Sequence, residues 1–176
     1  MSKVFFTSDP HFGHSNIIQY CNRPFANADE MDKALIDNWN SVVGKDDHVY
    51  VLGDVSMGNK VANYLRRLNG YKHLIVGNHD QNPKLEDGWT SIHDLHEIKV
   101  EGQPIVLCHY PMVSWNRSHY GAWQLFGHHH GNLADDPTKL SIDVGVDCHN
   151  FHPITFQQVK EIMQRKKPKI IQNKYA

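Results

Sequence analysis

The sequence places carboxylate, amide and imidazole side chains at the turns where β-type runs give out. They are Asp9 and His11 in "SDPH", Asp54 in "GDVS", Asn78 in "GNHD", His109 in "LCHYP", and His128 and His130 in "GHHHG". Oxygen and nitrogen donors without a thiolate suit a catalytic site for Mn, Fe or Zn rather than the closed cysteine cage of a structural zinc. Each piece alone is an ordinary turn, because Gly-Asp and Asn-x-Asp are common where strands end. Together they make seven candidate ligands, too many for one ion. Two ions about 3.5 to 4 Å apart and sharing one carboxylate would use them all, and would clamp the attacking and leaving oxygens of a phosphoryl displacement. The pattern predicts a binuclear hydrolase.

The elements that must position these residues are legible as periodic runs. "KVFFTSD", "HVYVLGD" and "HLIVGNHD" are β-rich and each ends in Asp, with helical patterns between them. Met31, Leu35, Trp39 and Val42 share one helical face in "NADEMDKALIDNWNSVVG", and a shorter helix, "VANYLRRLNG", closes at Gly70. In open α/β sheets ligands bind outside the carboxyl ends of the strands, which is where the candidate ligands fall. The second half is strand-rich, with a hairpin around Gly102 from "HEIKVEG" and "PIVLCH", then strands in "AWQLFGHHH" and "LSIDVGVD". Thr155 and Gln158 form a capping box after Pro153 and open a last helix. The expected architecture is α/β, two packed sheets with helices outside, in one domain over residues 1–176. In an extended strand end His128 and His130 would project one way and His129 the other, leaving His129 a spacer.

Eighteen basic residues against nineteen acidic ones give a net charge of -1, so no global attraction draws nucleic acid or anionic membrane. The one basic run, "QRKKPKIIQNK" from Gln164 to Lys174, reads as a solvated helix end and tail. No stretch reaches the ~18 apolar residues of a membrane span, and "MSKVFFTSD" turns polar too early for a signal peptide. Cys21, Cys108 and Cys148 are odd in number and form no CxxC pair, which fits reduced thiols and a cytoplasmic location.

"DPH", "GD", "GNHD", a lone His and "GHHH", in this order, resemble the calcineurin-like metallophosphoesterase family. "SDPHFGHSNII", "CNRPF" and "SWNRSHYG" are similar to its small stand-alone prokaryotic or phage-type members. The resemblance implies a four-layer αββα sandwich, with Asp9, His11 and His130 on one metal, Asn78, His109 and His128 on the other, and Asp54 bridging. It implies two transition-metal ions, Mn or Fe first and Zn or Ni as alternatives. A hydroxide held between them would attack phosphorus in line. His79 would stabilise the developing charge or protonate the leaving oxygen, and Asp80 would fix its tautomer.

Other residues are candidates for contact with a small phosphoester substrate, nucleotide-like in one reading. His14 and Arg23 could reach a phosphate oxygen, and Trp115, Arg117 and His119 in "SWNRSHYGAW" could stack on a base and grip phosphate. Asp143, Asp147 and His149 could orient ligand imidazoles, with packing the favoured role. "VSMGNK" follows "GD" without the Arg that marks phosphoprotein phosphatases of the family, so phosphodiester hydrolysis is favoured over monoester. The alternatives are a nuclease, which lacks the basic footprint it would need, and a non-catalytic metal-binding scaffold of the same fold, although no ligand position is lost. Oligomeric state is left open.

Overall fold

The run "VFFT" is apolar on both faces, and both are buried: it forms β1 (Val4–Thr7), with Phe5 and Phe6 fully enclosed on opposite sides. The computed structural model describes residues 2–58 and 60–168. β2 (His48–Val51), β3 (Tyr71–Ile75) and β4 (Ser91–His93) follow β1 in parallel, with Phe5 opposite Val49 and Val51 opposite Leu74. β9 (Ile154–Thr155) pairs antiparallel on the far side of β1, giving the order β4-β3-β2-β1-β9.

The second sheet begins with the expected hairpin, β5 (Leu95–Val100) and β6 (Gln103–Cys108), which turns at Glu101 and Gly102, both at positive φ. It continues in parallel through β7 (Trp123–Phe126) and β8 (Ser141–Asp143). Phe6, Leu52 and Ile75 of the first sheet's side meet Ile105, Leu107, Leu125 and Ile142 of the second in one core. The opposite face of the first sheet, Phe5, Val49, Val51 and Leu74, packs on Met31, Leu35, Ile36 and Trp39 of α2 (Ala28–Val42). Each such enclosed side chain stabilises the fold by about 1.5–3 kcal/mol. The result is the two-sheet α/β sandwich with flanking helices that the sequence predicts.

α2 starts where the Asn27 side chain accepts the Glu30 N–H, an N-cap that satisfies one orphan donor, while the Glu30 carboxylate reaches back to the N–H of Ala26 just outside the helix. α3 (Val61–Leu65) is short, and α4 (Phe156–Arg165) opens on the predicted Thr155–Gln158 capping box. α1 (Ser15–Tyr20), β4 and β9 were not foreseen, because α1 buries Ile17 alone and the two strands are only two or three residues long. The run "LSIDVGVD" is a strand over Ser141–Asp143 only; Gly145 then bridges to Ser8, and Val146–Cys148 forms a 3-10 turn. Lys166, in the basic run, is buried and paired with Asp135 rather than solvated, while the run beyond Pro168 lies outside the described residues. Among the described residues no helix is long and apolar enough to cross a membrane.

A cluster of imidazoles spans β2 to β5. His48 Nδ1 lies 2.9 Å from His73 Nε2, His73 Nδ1 lies 2.8 Å from Ser91 Oγ, Tyr50 stacks on His73, and the His93 and His96 rings stack at 3.9 Å. Burial first, then the neighbouring His48, His96 and His93, holds His73 at about 4 against the usual 6.5. The unfolded chain takes up this proton before the folded one does. Stability is therefore complete above pH 6.5 and declines as the pH falls from there towards about 4. Thermal melts across that window are expected to show a smaller fall in Tm for His73→Asn than for wild type; equal slopes would contradict the assignment.

Candidate metal centre

β1, β2, β3, β6 and β7 run into turns that bring the seven predicted ligands together. Asp9, His11, Asp54 and His109 are almost wholly buried, and His128 and His130 partly so. Five of the seven have left-handed backbone: Asp9 (φ 58°), His11 (52°), Asp54 (55°), His128 (70°) and His130 (50°). Residues with a Cβ occupy that region at a cost of about 1–2 kcal/mol each. Such strain persists only where surrounding bonds hold it, and it concentrates at functional sites. Here Asp9 N–H donates to Gly53 O, His11 N–H to Asp54 O and Phe12 N–H to Val55 O, stitching the first turn to the second.

The glycine preceding three of the ligands has a steric cause. A Cβ on Gly53 would stand 2.6 Å from His109 Nδ1, one on Gly77 would overlap the Asp54 carboxylate, and one on Gly127 would overlap Ser8 and Asp9. "GD", "GN" and "GH" are thus three places where one turn passes directly under another.

The predicted ligands form two groups of donors, one of Asp9, His11 and His130 and one of Asp54, His109 and His128. Asp54 Oδ2 sits between them, 3.6 Å from His11 Nε2 in the first and 3.6 Å from His109 Nε2 in the second. Asp9 Oδ1 is 3.9 Å from both His11 Nε2 and His130 Nε2. Asn78 Oδ1 is 3.1 Å from His109 Nε2 and also accepts from Tyr110 Oη at 3.3 Å. The other atoms of these groups are already engaged: Asp9 Oδ2 accepts His128 N–H, Asp54 Oδ1 accepts His79 N–H, and His109 Nδ1 is 2.6 Å from Leu52 O. Buried Asp9 Oδ1 and His11 Nε2 have no hydrogen-bond partner. Orphaned donor atoms turned towards one another, on a set of oxygen and nitrogen ligands, fit divalent transition-metal ions. Burial raises Asp9 to about 6, so its carboxylate calls for a cationic partner, and burial with the adjacent imidazoles pushes His11 far below its usual range, keeping it in the neutral form that ligates a metal.

Arg23 is not a substrate group. Its guanidinium is fully enclosed, donating to both oxygens of Asp147 at 2.8 Å and to the carbonyls of Asp9 and Pro10. Asp147 in turn lies 2.8 Å from His130 Nδ1, so it is an orienting residue and not merely packing. Burial would raise Asp147, but its bonds to His130 and Arg23 hold it below the usual range; burial and Arg23 would lower His130, but its bond to Asp147 and the nearby Asp9 carboxylate hold it above the usual range. The pair leaves His130 Nε2 free to bind. Cys21 forms a third possible group with His130 and Asp147, but burial pushes its thiol up to about 11, which disfavours a thiolate ligand. Asp147→Ala is expected to weaken metal binding by about 10–100-fold while leaving the chain folded, measured by competition with a chelating dye; unchanged affinity would contradict the role.

His79 borders the centre, its Nε2 3.9 Å from Asp54 Oδ2 with 43% of the side chain exposed. Asp80 does not fix the His79 tautomer: its carboxylate accepts the N–H groups of Asp54, Val55 and Gly77, tying the second turn to the third. His14 Nδ1 stands 3.5 Å from His11 Nδ1, at the edge of the first group. Trp115, Arg117 and His119 do not face the centre. Trp115 is buried and donates to Ala122 O, Arg117 lines a groove with Glu97 and Lys99, and His119 lines another with Thr138 and Lys139. His149 bonds Asp143 O, and Asp143 caps Gly145 N–H. The alternation argument for "GHHH" fails in its reason, since β7 ends at Phe126 and positive φ at both His128 and His130 makes the segment a turn. Tyr110, half-exposed beside Asn78 and His128, was not anticipated; its only sequence signal is adjacency to His109.

Two mixed sheets packed face to face with helices outside define an α/β sandwich. The chain belongs to the family of the uncharacterized protein MJ1445 of Methanocaldococcus jannaschii, with which it is 37% identical over 95% of its own length and 94% of that protein's. It is also 29% identical to the Gene 66 protein of Mycobacterium phage D29, over 93% of this chain and 96% of that one. Among solved structures, a protein of unknown function from Aquifex aeolicus, AQ665, superposes with a TM-score of 0.72 at 23% identity, covering 92% of this chain and all of that one. A structure described as a novel archaeal phosphodiesterase superposes with a TM-score of 0.53 at 16% identity, over 81% and 83% of the two chains. No protein-family model matches the chain.

Proposed function

We propose that the protein is a calcineurin-like metallophosphoesterase that hydrolyses small phosphoesters, diesters in preference to monoesters, with two transition-metal ions, Mn or Fe ahead of Zn or Ni. Asp9, His11 and His130 would hold one ion, Asn78, His109 and His128 the other, and Asp54 would be shared between them. The observation that carries this reading is Asp54 Oδ2, equidistant at 3.6 Å from the Nε2 atoms of His11 and His109, one in each donor group. Bound there, the ions would bring the pKa of water towards neutrality and offset charge on the phosphoryl oxygens.

The chain's own residues divide the remaining work. Leu52 O and Asp147 occupy the Nδ1 atoms of His109 and His130 and so present both Nε2 lone pairs inwards. A water oxygen forms the new bond to phosphorus and its proton passes to solvent. The bond from phosphorus to the leaving oxygen breaks with its electron pair staying on that oxygen, and exposed His79 supplies the proton that neutralises it. A dianionic monoester calls for an arginine fork. Arg23 is enclosed by Asp147 and Arg117 lies in a groove apart from the centre, which supports the diester preference. The free thiols of Cys21, Cys108 and Cys148 are consistent with a cytoplasmic location.

The test is to strip the metals, restore Mn, Fe, Zn, Ni and Mg one at a time, and compare hydrolysis of a nitrophenyl monoester with that of a nitrophenyl diester. Metal-dependent turnover favouring the diester is expected. Equal or greater monoester turnover would overturn the diester preference, and inactivity with every metal on both substrates would favour a binding scaffold.

A further inference from the structure

The turn after His109 carries a tyrosine that the mechanism leaves idle. Tyr110 is 45% exposed, yet its ring packs edge to face against two imidazoles of the second donor group, His109 at 4.9 Å and His128 at 4.8 Å between ring centres. Its backbone is pinned from the core. Fully buried Gln124 donates its Nε2–H to Tyr110 O at 3.1 Å and accepts the Met112 N–H at 3.3 Å, so a polar side chain inside β7 fixes the turn on which Tyr110 stands. The phenol is thereby aimed at the mouth of the second group. Tyr110 Oη donates to Asn78 Oδ1 at 3.3 Å, and that same oxygen lies 3.1 Å from His109 Nε2. His79 stands instead beside His11 of the first group, with the ring centres 5.5 Å apart.

We propose that Tyr110 is a substrate-contacting residue whose hydroxyl donates to a non-bridging phosphoryl oxygen of the bound ester. The proposal rests on the phosphoesterase reading. A phosphoryl oxygen drawn to the second donor group comes to rest among the atoms of that group, and Tyr110 Oη already stands there, against Asn78 Oδ1. The hydroxyl turns about a single bond, so its proton passes from Asn78 Oδ1 to a substrate oxygen beside it without movement of the ring. Because Gln124 and two imidazoles fix the ring before substrate arrives, the donor needs no reorganisation as charge builds on the phosphoryl oxygens. The chemistry also fits the diester preference. A diester spreads one negative charge over two non-bridging oxygens, which a neutral phenol can meet, whereas a dianion calls for the fork of an arginine.

The experiment uses metal-loaded full-length protein, methyl nitrophenyl phosphate, and the two enantiomers of its phosphorothioate, in which sulfur, a weak acceptor, replaces one non-bridging oxygen or the other. Tyr110→Phe keeps the ring and removes only the hydroxyl. It is expected to lower kcat/KM for the oxygen diester by about tenfold to a hundredfold, the worth of a hydrogen bond to a charged group. Binding of inorganic phosphate, followed by calorimetry, should weaken by about tenfold or more, with metal content unchanged. One phosphorothioate enantiomer already lacks the acceptor, so the variant should cost it less than about twofold. Equal losses for the oxygen diester and both enantiomers would overturn the phosphoryl contact. Kinetics and phosphate affinity within about twofold of wild type would overturn it too, even with Tyr110→Ala impaired, because the ring alone would then be at work. A fall in bound metal in Tyr110→Phe would overturn it by showing that the hydroxyl acts through Asn78. If metal-loaded wild type hydrolyses neither the diester nor a nitrophenyl monoester, the phosphoesterase reading falls and the contact with it; an active enzyme indifferent to Tyr110→Phe loses the contact alone.

Discussion

Asp54→Asn is expected to lose phosphoesterase activity by on the order of 10³-fold or more, with bound metal falling from two ions to one or none. Its Oδ2 is the atom that stands between the two donor groups, 3.6 Å from an imidazole nitrogen of each. An amide there withdraws the negative charge that both ions would share. The fold should survive, because the other oxygen, which accepts His79 N–H at 2.9 Å, can still be supplied by the amide carbonyl. Metal analysis of the purified variant, together with its melting curve, separates loss of ligation from loss of folding. Two ions and near-normal turnover in a folded Asp54→Asn would remove Asp54 from the bridging position.

His79→Ala should behave differently. Activity is expected to fall by about 10²–10⁴-fold, the range for a general acid, with metal content intact. Its exposed imidazole, 3.9 Å from Asp54 Oδ2, borders the centre without an unfilled ligation role. The deficit should shrink for a nitrophenolate leaving group, which departs without a proton, and grow for an alkoxide. A deficit equal for both leaving groups would show that His79 acts on the phosphoryl oxygens rather than on the leaving oxygen. Loss of a metal would show it to be a ligand.

How much of this was legible in the sequence depended on how local the determining physics is. β1, β2 and β3, the β5–β6 hairpin, α2 and the cap of α4 are set by periodicity and turn chemistry within a few residues, and they form as expected. That the candidate residues would gather was also readable, because each follows a strand and parallel strands bring their ends together. What escaped was long-range or conformational. Arg23 and Asp147 are 124 positions apart, and no pattern in either neighbourhood announces that they orient His130. Positive φ at Asp9, His11, Asp54, His128 and His130 is imposed by close passage of turns, and the glycines beside them show its necessity only once the overlaps are seen. The aromatic loop around Trp115 carries the composition of a binding surface but turns its indole into the core, since composition does not fix direction. Asp80 is an acid beside a histidine in sequence and a three-fold backbone acceptor in space.

The decisive measurement is a titration of metal-stripped protein with Mn, following bound ions per chain and diester hydrolysis in the same samples. Two ions bound per chain, with turnover rising as the second is taken up, is the predicted result. Saturation at one ion, or full turnover in the stripped protein, would contradict a centre built on two donor groups joined by Asp54.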